Sequence, residues 1–193
     1  MLESDLDSLA TLFVSERSTR HCWCMAFCST RRQFAIGWFG GGNARRFAAM
    51  TAGSSNAMGV LAFQDDEVVG WCACGPRSRY ATADTPRTAM IRERAPEGHA
   101  AIWFVPCFFV RAGYRGQGVT HTLTRAAVDL ARREGAAGIE GWPISTAVAG
   151  SADAFVGREQ VFEEVGFTRV ARPSSGRVIM RLDLWAGPKR DHG

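Results

Sequence analysis

The chain has 193 residues and almost no lysine: Lys189 is the only one, and the other fixed cationic side chains are all arginine. A G-x-x-x-x-G-K-[ST] phosphate loop is therefore excluded, because its lysine has no candidate. Tyrosine is nearly as scarce, with Tyr80 and Tyr114 alone, so a phenolic proton donor has two places to come from. No apolar run approaches the roughly 20 residues that cross a bilayer. The start, Met1-Leu2-Glu3-Ser4-Asp5, is acidic and lacks the basic flank and apolar stretch of a signal peptide. A cytoplasmic location is the expectation, with no membrane partner. The net charge of +4 is modest and the arginines are scattered along the chain. That pattern suits a polyanionic small molecule and argues against nucleic acid. There is no internal repeat and no low-complexity block.

What is present fits one soluble domain. The hydrophobic fraction is 46% and the charged fraction 22%, ordinary values for a globular chain. The length suits a single core, with residues 1–185 forming the domain and 186–193 a flexible polar tail. Six cysteines occur, at 22, 24, 28, 72, 74 and 107. Reduced thiols are the default in this context. The pairs Cys22/Cys24 and Cys72/Cys74 invite a four-thiolate zinc site. Each pair, however, has C-x-C spacing in an apolar run that reads as a strand, whereas structural zinc knuckles use C-x₂₋₄-C. Ordinary buried cysteine, and no metal, is the expectation.

Residues 5–14 place Leu6, Leu9, Leu12 and Phe13 at helical spacing. Residues 22–27 are apolar and of uncertain type, and 37–42 read as a flexible loop with two large aromatics. Asn43 suits an N-cap for a helix to about Ala52, ended by Gly53. Two β-prone runs, 58–64 and 67–74, flank Asp65-Asp66 as a hairpin. A short helix is expected near 88–94. Residues 101–110 are the most apolar run and read as a central strand. Val119, Leu123, Ala126, Ala127, Leu130 and Ala131 mark one face of a long helix, stopped by Gly135. A strand over 138–144, a short helix over 158–165 and a closing hairpin of 167–171 with 177–184 complete the order. The sum is an α/β (α+β) domain, one mixed sheet with helices on both faces.

The chemistry concentrates where the central strand meets the long helix. Gly113, Gly116 and Gly118 crowd that turn. Glycines let the backbone curl so that successive N–H groups face one concavity. The helix start adds unpaired donors and partial positive charge. This makes a seat for a phosphate or pyrophosphate, with Arg111 and Arg115 adding charge beside it. The other reading is a plain glycine-rich strand-to-helix turn. A dinucleotide fingerprint fails, since Gly116-Gln117-Gly118 is followed by Val119-Thr120-His121 and lacks the third glycine.

The stretch Val110-x₃-Tyr114-Arg115-Gly116-Gln117-Gly118-Val119-Thr120-x₂-Leu123 resembles the acyl-CoA motif of the GNAT superfamily, [QR]-x-x-G-x-[GA], with Thr120 where Gly or Ala is usual. Gly135-Ala136 before a strand, Phe162-Glu163-Glu164-Val165-Gly166-Phe167 before the last hairpin, and the element order extend the resemblance over residues 5–184. It implies a largely antiparallel sheet with one splayed parallel pair, the strand ending at Val110 parting from that near 138–144. It implies acetyl-CoA as acyl donor, its pantetheine arm on the backbone of Phe108, Phe109 and Val110. The pyrophosphate would lie on the N–H groups of Arg115, Gly116, Gln117, Gly118, Val119 and Thr120. The Phe108 N–H would face the thioester carbonyl as the oxyanion donor. Pro106 fits a bulge or an unpaired position, functional or not.

Two family features are missing. The tyrosine acid on the last short helix is replaced by Phe162, and residues 103–107 lack the usual strand glutamate. Glu140 becomes the candidate base, against a salt-bridged strand residue. His121, His99 and Cys107 are weaker candidates for proton or acyl chemistry. Trp23, Trp38, Phe39, Trp71, Tyr80 and Trp142 are candidates for an apolar acceptor pocket or for core. The resemblance implies transfer of an acetyl group to a primary amine, by direct attack in a ternary complex. The acceptor is a small molecule or a protein lysine or N-terminus, and a non-catalytic acyl-CoA-binding domain is the alternative. Relatives often dimerise through a sheet edge, so a homodimer is also open.

Overall fold

The computed structural model describes residues 5–17, 19–80, 101–145, 155–172 and 177–184. The expected helix near 88–94, His99, the turn at 173–176 and the tail lie outside them. The described elements are helices α1 (Leu6–Val14), α2 (Arg31–Gly37) and α3 (Gly42–Ala52), strands β1 (Gly59–Gln64), β2 (Glu67–Pro76) and β3 (Ile102–Val110), helix α4 (Val119–Arg133), strand β4 (Gly138–Gly141), helix α5 (Glu159–Val165), and strands β5 (Thr168–Ala171) and β6 (Ile179–Asp183). They form one six-stranded sheet in the order β1-β2-β3-β4-β6-β5. Only β3 and β4 pair in parallel; every other neighbour is antiparallel. The mixed, largely antiparallel sheet with one parallel pair is thus as expected.

Alternation along the strands divides the core between the two faces. Trp71, Ala73, Phe104, Cys107 and Phe109 join Leu9, Leu12 and Phe13 of α1 and Phe47 of α3 on one side. Cys72, Cys74, Trp103, Val105 and Phe108 join Leu123, Ala127 and Ala131 of α4 and Phe162 of α5 on the other. Burial of each large side chain contributes about 1.5–3 kcal/mol. Gly70 lets α4 lie close on the sheet, since a Cβ there would stand 2.8 Å from Val119 Cγ1. The end of α4 is a Schellman motif: Ala136 N–H donates to Ala131 O and Gly135 N–H to Arg132 O, with Gly135 at φ +74°.

Three local expectations are corrected and one helix is added. Asn43 is not an N-cap; Gly41 holds that place, in the left-handed region. The Asn43 side chain is buried and donates instead to the carbonyls of His21 and Phe34, tying the segment before α2 to α3. Residues 38–41 are loop as expected, but a helix not expected from the sequence, α2, precedes them and starts from a capping box, in which Thr30 accepts from Gln33 N–H and Gln33 from Thr30 N–H. Residues 22–24 form turns rather than strand, with Trp23 and Cys24 at positive φ and a 3₁₀ turn over Met25–Phe27. Strand β4 ends at Gly141, since Pro143 has no N–H for a ladder.

Candidate functional site

The decisive irregularity lies at Pro106. Along β3 the register with β2 runs Trp103↔Pro76, Phe104↔Gly75, then Cys107↔Ala73. Two residues, Val105 and Pro106, therefore oppose Cys74 alone, which is a β-bulge. The bulge shifts the side-chain phase by one residue. Cys107 and Phe109 consequently face α1, and Phe108 faces α4 and α5. The parallel ladder to β4 ends at the same place, with Val105↔Gly141 as its last pair. Beyond it β3 runs on to Val110 without β4 beside it.

The direction of the backbone groups follows from the ladder. Arg111 N–H donates to Val69 O at 3.0 Å. Bonded pairs alternate with non-bonded ones in an antiparallel ladder, so Phe109 and Cys107 exchange bonds with β2. The N–H groups of Phe108 and Val110 point the opposite way, into the space that β4 has left. Phe109's own N–H points to β2.

After Val110 a 3₁₀ turn over Ala112–Tyr114 leads to the glycine turn and α4. Gly116 and Gly118 lie at φ +76° and +79°, and a Cβ on either, or on Gly113, would meet nothing within 4 Å. Gly118 is the N-cap of α4, and no side chain caps the helix. The first-turn N–H groups of Val119 and Thr120 thus lie without a side-chain cap at the positive end of the helix dipole. Gln117 folds back, donating to Gly113 O at 2.9 Å.

The arginines beside this turn are engaged. Arg115 grips both oxygens of Glu16 at 2.7 and 2.8 Å and donates from Nε to Val110 O at 2.8 Å. Glu16 also accepts from Ala112 N–H at 3.1 Å. Arg111 pairs with Glu67, as does the Tyr114 hydroxyl. Tyr114 holds the Glu67 carboxyl below its usual range, with Arg111 adding to the effect. Neither guanidinium group is left free for an added anion; both are engaged by Glu16 and Glu67.

Glu140 is fully buried, on the α1 face opposite Phe104. Arg77, also buried, holds it at 3.1 Å, and Arg181 lies 3.8 Å away. Phe162 is fully buried too, its ring edge-on to Phe108 at 6.0 Å and to Phe167 at 5.1 Å. Tyr80 is enclosed, and burial pushes its hydroxyl well above the ordinary value. His121 stands on the first turn of α4, 4.0 Å from Glu164.

Facing α1, at the unpaired half of β3, is a cavity of about 170 Å³. Cys107, Phe109 and Phe13 form its buried floor, and half-buried Cys22, Trp23 and Ala26 its rim. Of the aromatics considered for an acceptor pocket, only Trp23 lines it. Trp71, Tyr80 and Trp142 are core, Trp38 packs on His21 and Phe34, and Phe39 is exposed. Phe13, Phe27, Phe109 and Phe155 also line the cavity. The sequence signals only that they are apolar.

The cysteines divide between the faces. Cys72 and Cys74 lie on the α4 side, Cys24 and Cys107 on the α1 side. Among the described residues no group of three or more His, Cys, Asp or Glu could hold a metal. Trp71 Nε1 donates to Cys24 Sγ at 3.3 Å. A hydrogen bond from Cys107 holds the Cys24 thiol below its ordinary value, against the effect of burial. The same contact, together with burial, raises Cys107. Burial pushes Cys22 and Cys28 up to about 12.

The family model described as "Acetyltransferase (GNAT) family" matches residues 23–152. No curated protein sequence matches the chain. Solved structures share its fold at low identity. YncA of Salmonella typhimurium, solved with its cofactor acetyl-CoA, is 14% identical with a TM-score of 0.56, over 100% of this chain and 96% of that one. The GNAT domain of S. lividans PAT is 17% identical with a TM-score of 0.55, over 95% and 88%. The aminoglycoside acetyltransferase AAC(6')-Ib, in complex with coenzyme A, is 16% identical with a TM-score of 0.55, over 95% and 91%.

Proposed function

The chain belongs to the acetyltransferase (GNAT) family, and from that premise we propose that it moves the acetyl group of acetyl-CoA to a primary amine by direct attack in a ternary complex. The observation that carries the reading is the bulge at Pro106. Among the described residues it leaves the N–H groups of Phe108 and Val110 outside any ladder, a few residues before an uncapped helix start. The fit to acetyl-CoA rests on these two features. A long, amide-bearing arm can pair with the free edge of β3. A pyrophosphate can approach the N–H groups from Arg115 to Thr120, because no Cβ stands in the way at Gly116 or Gly118.

Acetyl-CoA supplies an activated acyl group as a thioester. The chain contributes positioning and a donor. Phe108 N–H, held by the ladder on its other side, is the donor we assign to the carbonyl oxygen that gains charge as the amine attacks. One such donor contributes about 3–4 kcal/mol in related acyl-transfer sites. Phe162, buried against Phe108 in the place of the family's tyrosine, offers no proton. The geometry favours a structural part for Glu140, since its carboxylate already neutralises buried Arg77. An amine that arrives uncharged then needs no carboxylate base.

A titration calorimeter tests the donor assignment. Micromolar binding of acetyl-CoA, weakened in a dephospho analogue, is the expected result, followed by free-thiol release in the presence of an amine. Binding without turnover of any amine would transfer the chain to the non-catalytic acyl-CoA-binding class, which Phe162 in the acid's place keeps as the second reading. No binding of either form would remove the enzyme reading.

A further inference from the structure

The cavity facing α1 bears on the acceptor in three ways. Its volume is about 170 Å³, and an apolar protein cavity of about 150 Å³ takes up benzene. Its described lining is five aromatic rings, Ala26, three cysteine thiols and the Thr19 hydroxyl, which is already donated to Phe13 O. No carboxylate, ammonium or guanidinium is among them. Third, Cys107 and Phe109 of its floor flank Phe108 on β3, so a ring seated there lies one residue from the backbone donor proposed for the acyl oxygen.

An alkylamine is an ammonium at neutral pH, and placing that charge against such a wall costs several kcal/mol without a counter-ion. An aromatic amine has its lone pair partly delocalised into the ring and is already neutral at pH 7. We propose that the acceptor is a single-ring aromatic amine, its ring held between Trp23, Phe27, Phe109 and Phe155 and its nitrogen turned toward Phe108. The inference rests on the acetyl-transfer reading above. The nitrogen lone pair forms the new bond to the acyl carbon. The carbon–sulfur bond breaks, and its electron pair leaves with the sulfur of coenzyme A. Nitrogen, cationic after attack, loses one proton, which the departing sulfur takes. The products are an N-arylacetamide and the coenzyme A thiol.

The test compares aniline and 4-methylaniline with putrescine and a lysine peptide at pH 7 and saturating acetyl-CoA, following thiol release. The wild-type chain should turn over the aromatic amines with kcat/KM at least 10-fold above the alkylamines. Ala26→Phe, which places a ring at the half-buried rim, should raise KM for aniline 10-fold or more. Trp23→Ala, which removes a wall without crowding the interior, should also raise it. Neither substitution should alter acetyl-CoA affinity by calorimetry. Preference for putrescine or the peptide overturns the inference and leaves acetyl transfer standing. So does aniline turnover with a KM that both variants leave unchanged, or acetyl-CoA binding with no aniline turnover. Failure to bind acetyl-CoA overturns both readings.

Discussion

Gly118 and Glu140 show how differently single residues can be read. Gly118 sits at φ +79° with open space where a Cβ would be. An L-residue there carries a backbone strain of about 1–2 kcal/mol, and an acidic one also repels the proposed pyrophosphate. Gly118→Asp should therefore weaken acetyl-CoA binding at least 10-fold by calorimetry; unchanged affinity would move the cofactor seat elsewhere. The motif alone locates this position. Glu140 is different, because its sequence neighbours say nothing of Arg77, 63 residues away, which bonds to it inside the fold. Removing one partner of a buried ion pair costs about 3–5 kcal/mol. Glu140→Gln, which keeps some hydrogen bonding, should lower the urea midpoint by part of that amount while the pH–rate profile keeps its shape. A shifted acidic limb would restore Glu140 as the base.

Among the elements, α2 shows what periodicity overlooks. It has seven residues, and Gly37 is its one buried residue, so no apolar stripe marks it. Its start signal is nonetheless explicit in Thr30-x-x-Gln33. Thr30→Ala should cost about 1 kcal/mol, seen as a lower melting temperature with acetyl-CoA affinity unchanged. No loss would mean that packing, rather than the cap, holds the helix. Strand β3 teaches the reverse lesson. Its existence follows from its run of apolar residues, and Pro106 hints at a fault in the ladder. Which side the fault faces depends on the pairing of Ala73 with Cys107 rather than with Pro106, a register that two strands settle together.

For the molecule as a whole, two half-buried thiols set a limit at high pH. Cys22 and Cys28 are held up at about 12 by burial, above the ordinary thiol value of 9.0. Between these values the unfolded chain releases protons that the folded chain keeps. Their contribution to stability is thus complete below about pH 9 and is lost as the pH rises toward 12. Denaturation midpoints at pH 7, 9 and 10.5 should fall across the last interval; a flat profile would mean that these thiols are not desolvated in solution. Among the described residues no helix is long and apolar enough to cross a membrane. The sequence by itself determined the order of most elements, the mixed sheet and the glycine turn before α4, because these follow from local patterns and backbone preference. Only the tertiary structure decided that the bulge turns Phe108 and Val110 outward, that Arg77 claims Glu140, that Glu16 claims Arg115, and that the aromatic cavity gathers residues from 13 to 155. Each of those depends on which distant segments the folded sheet brings into contact.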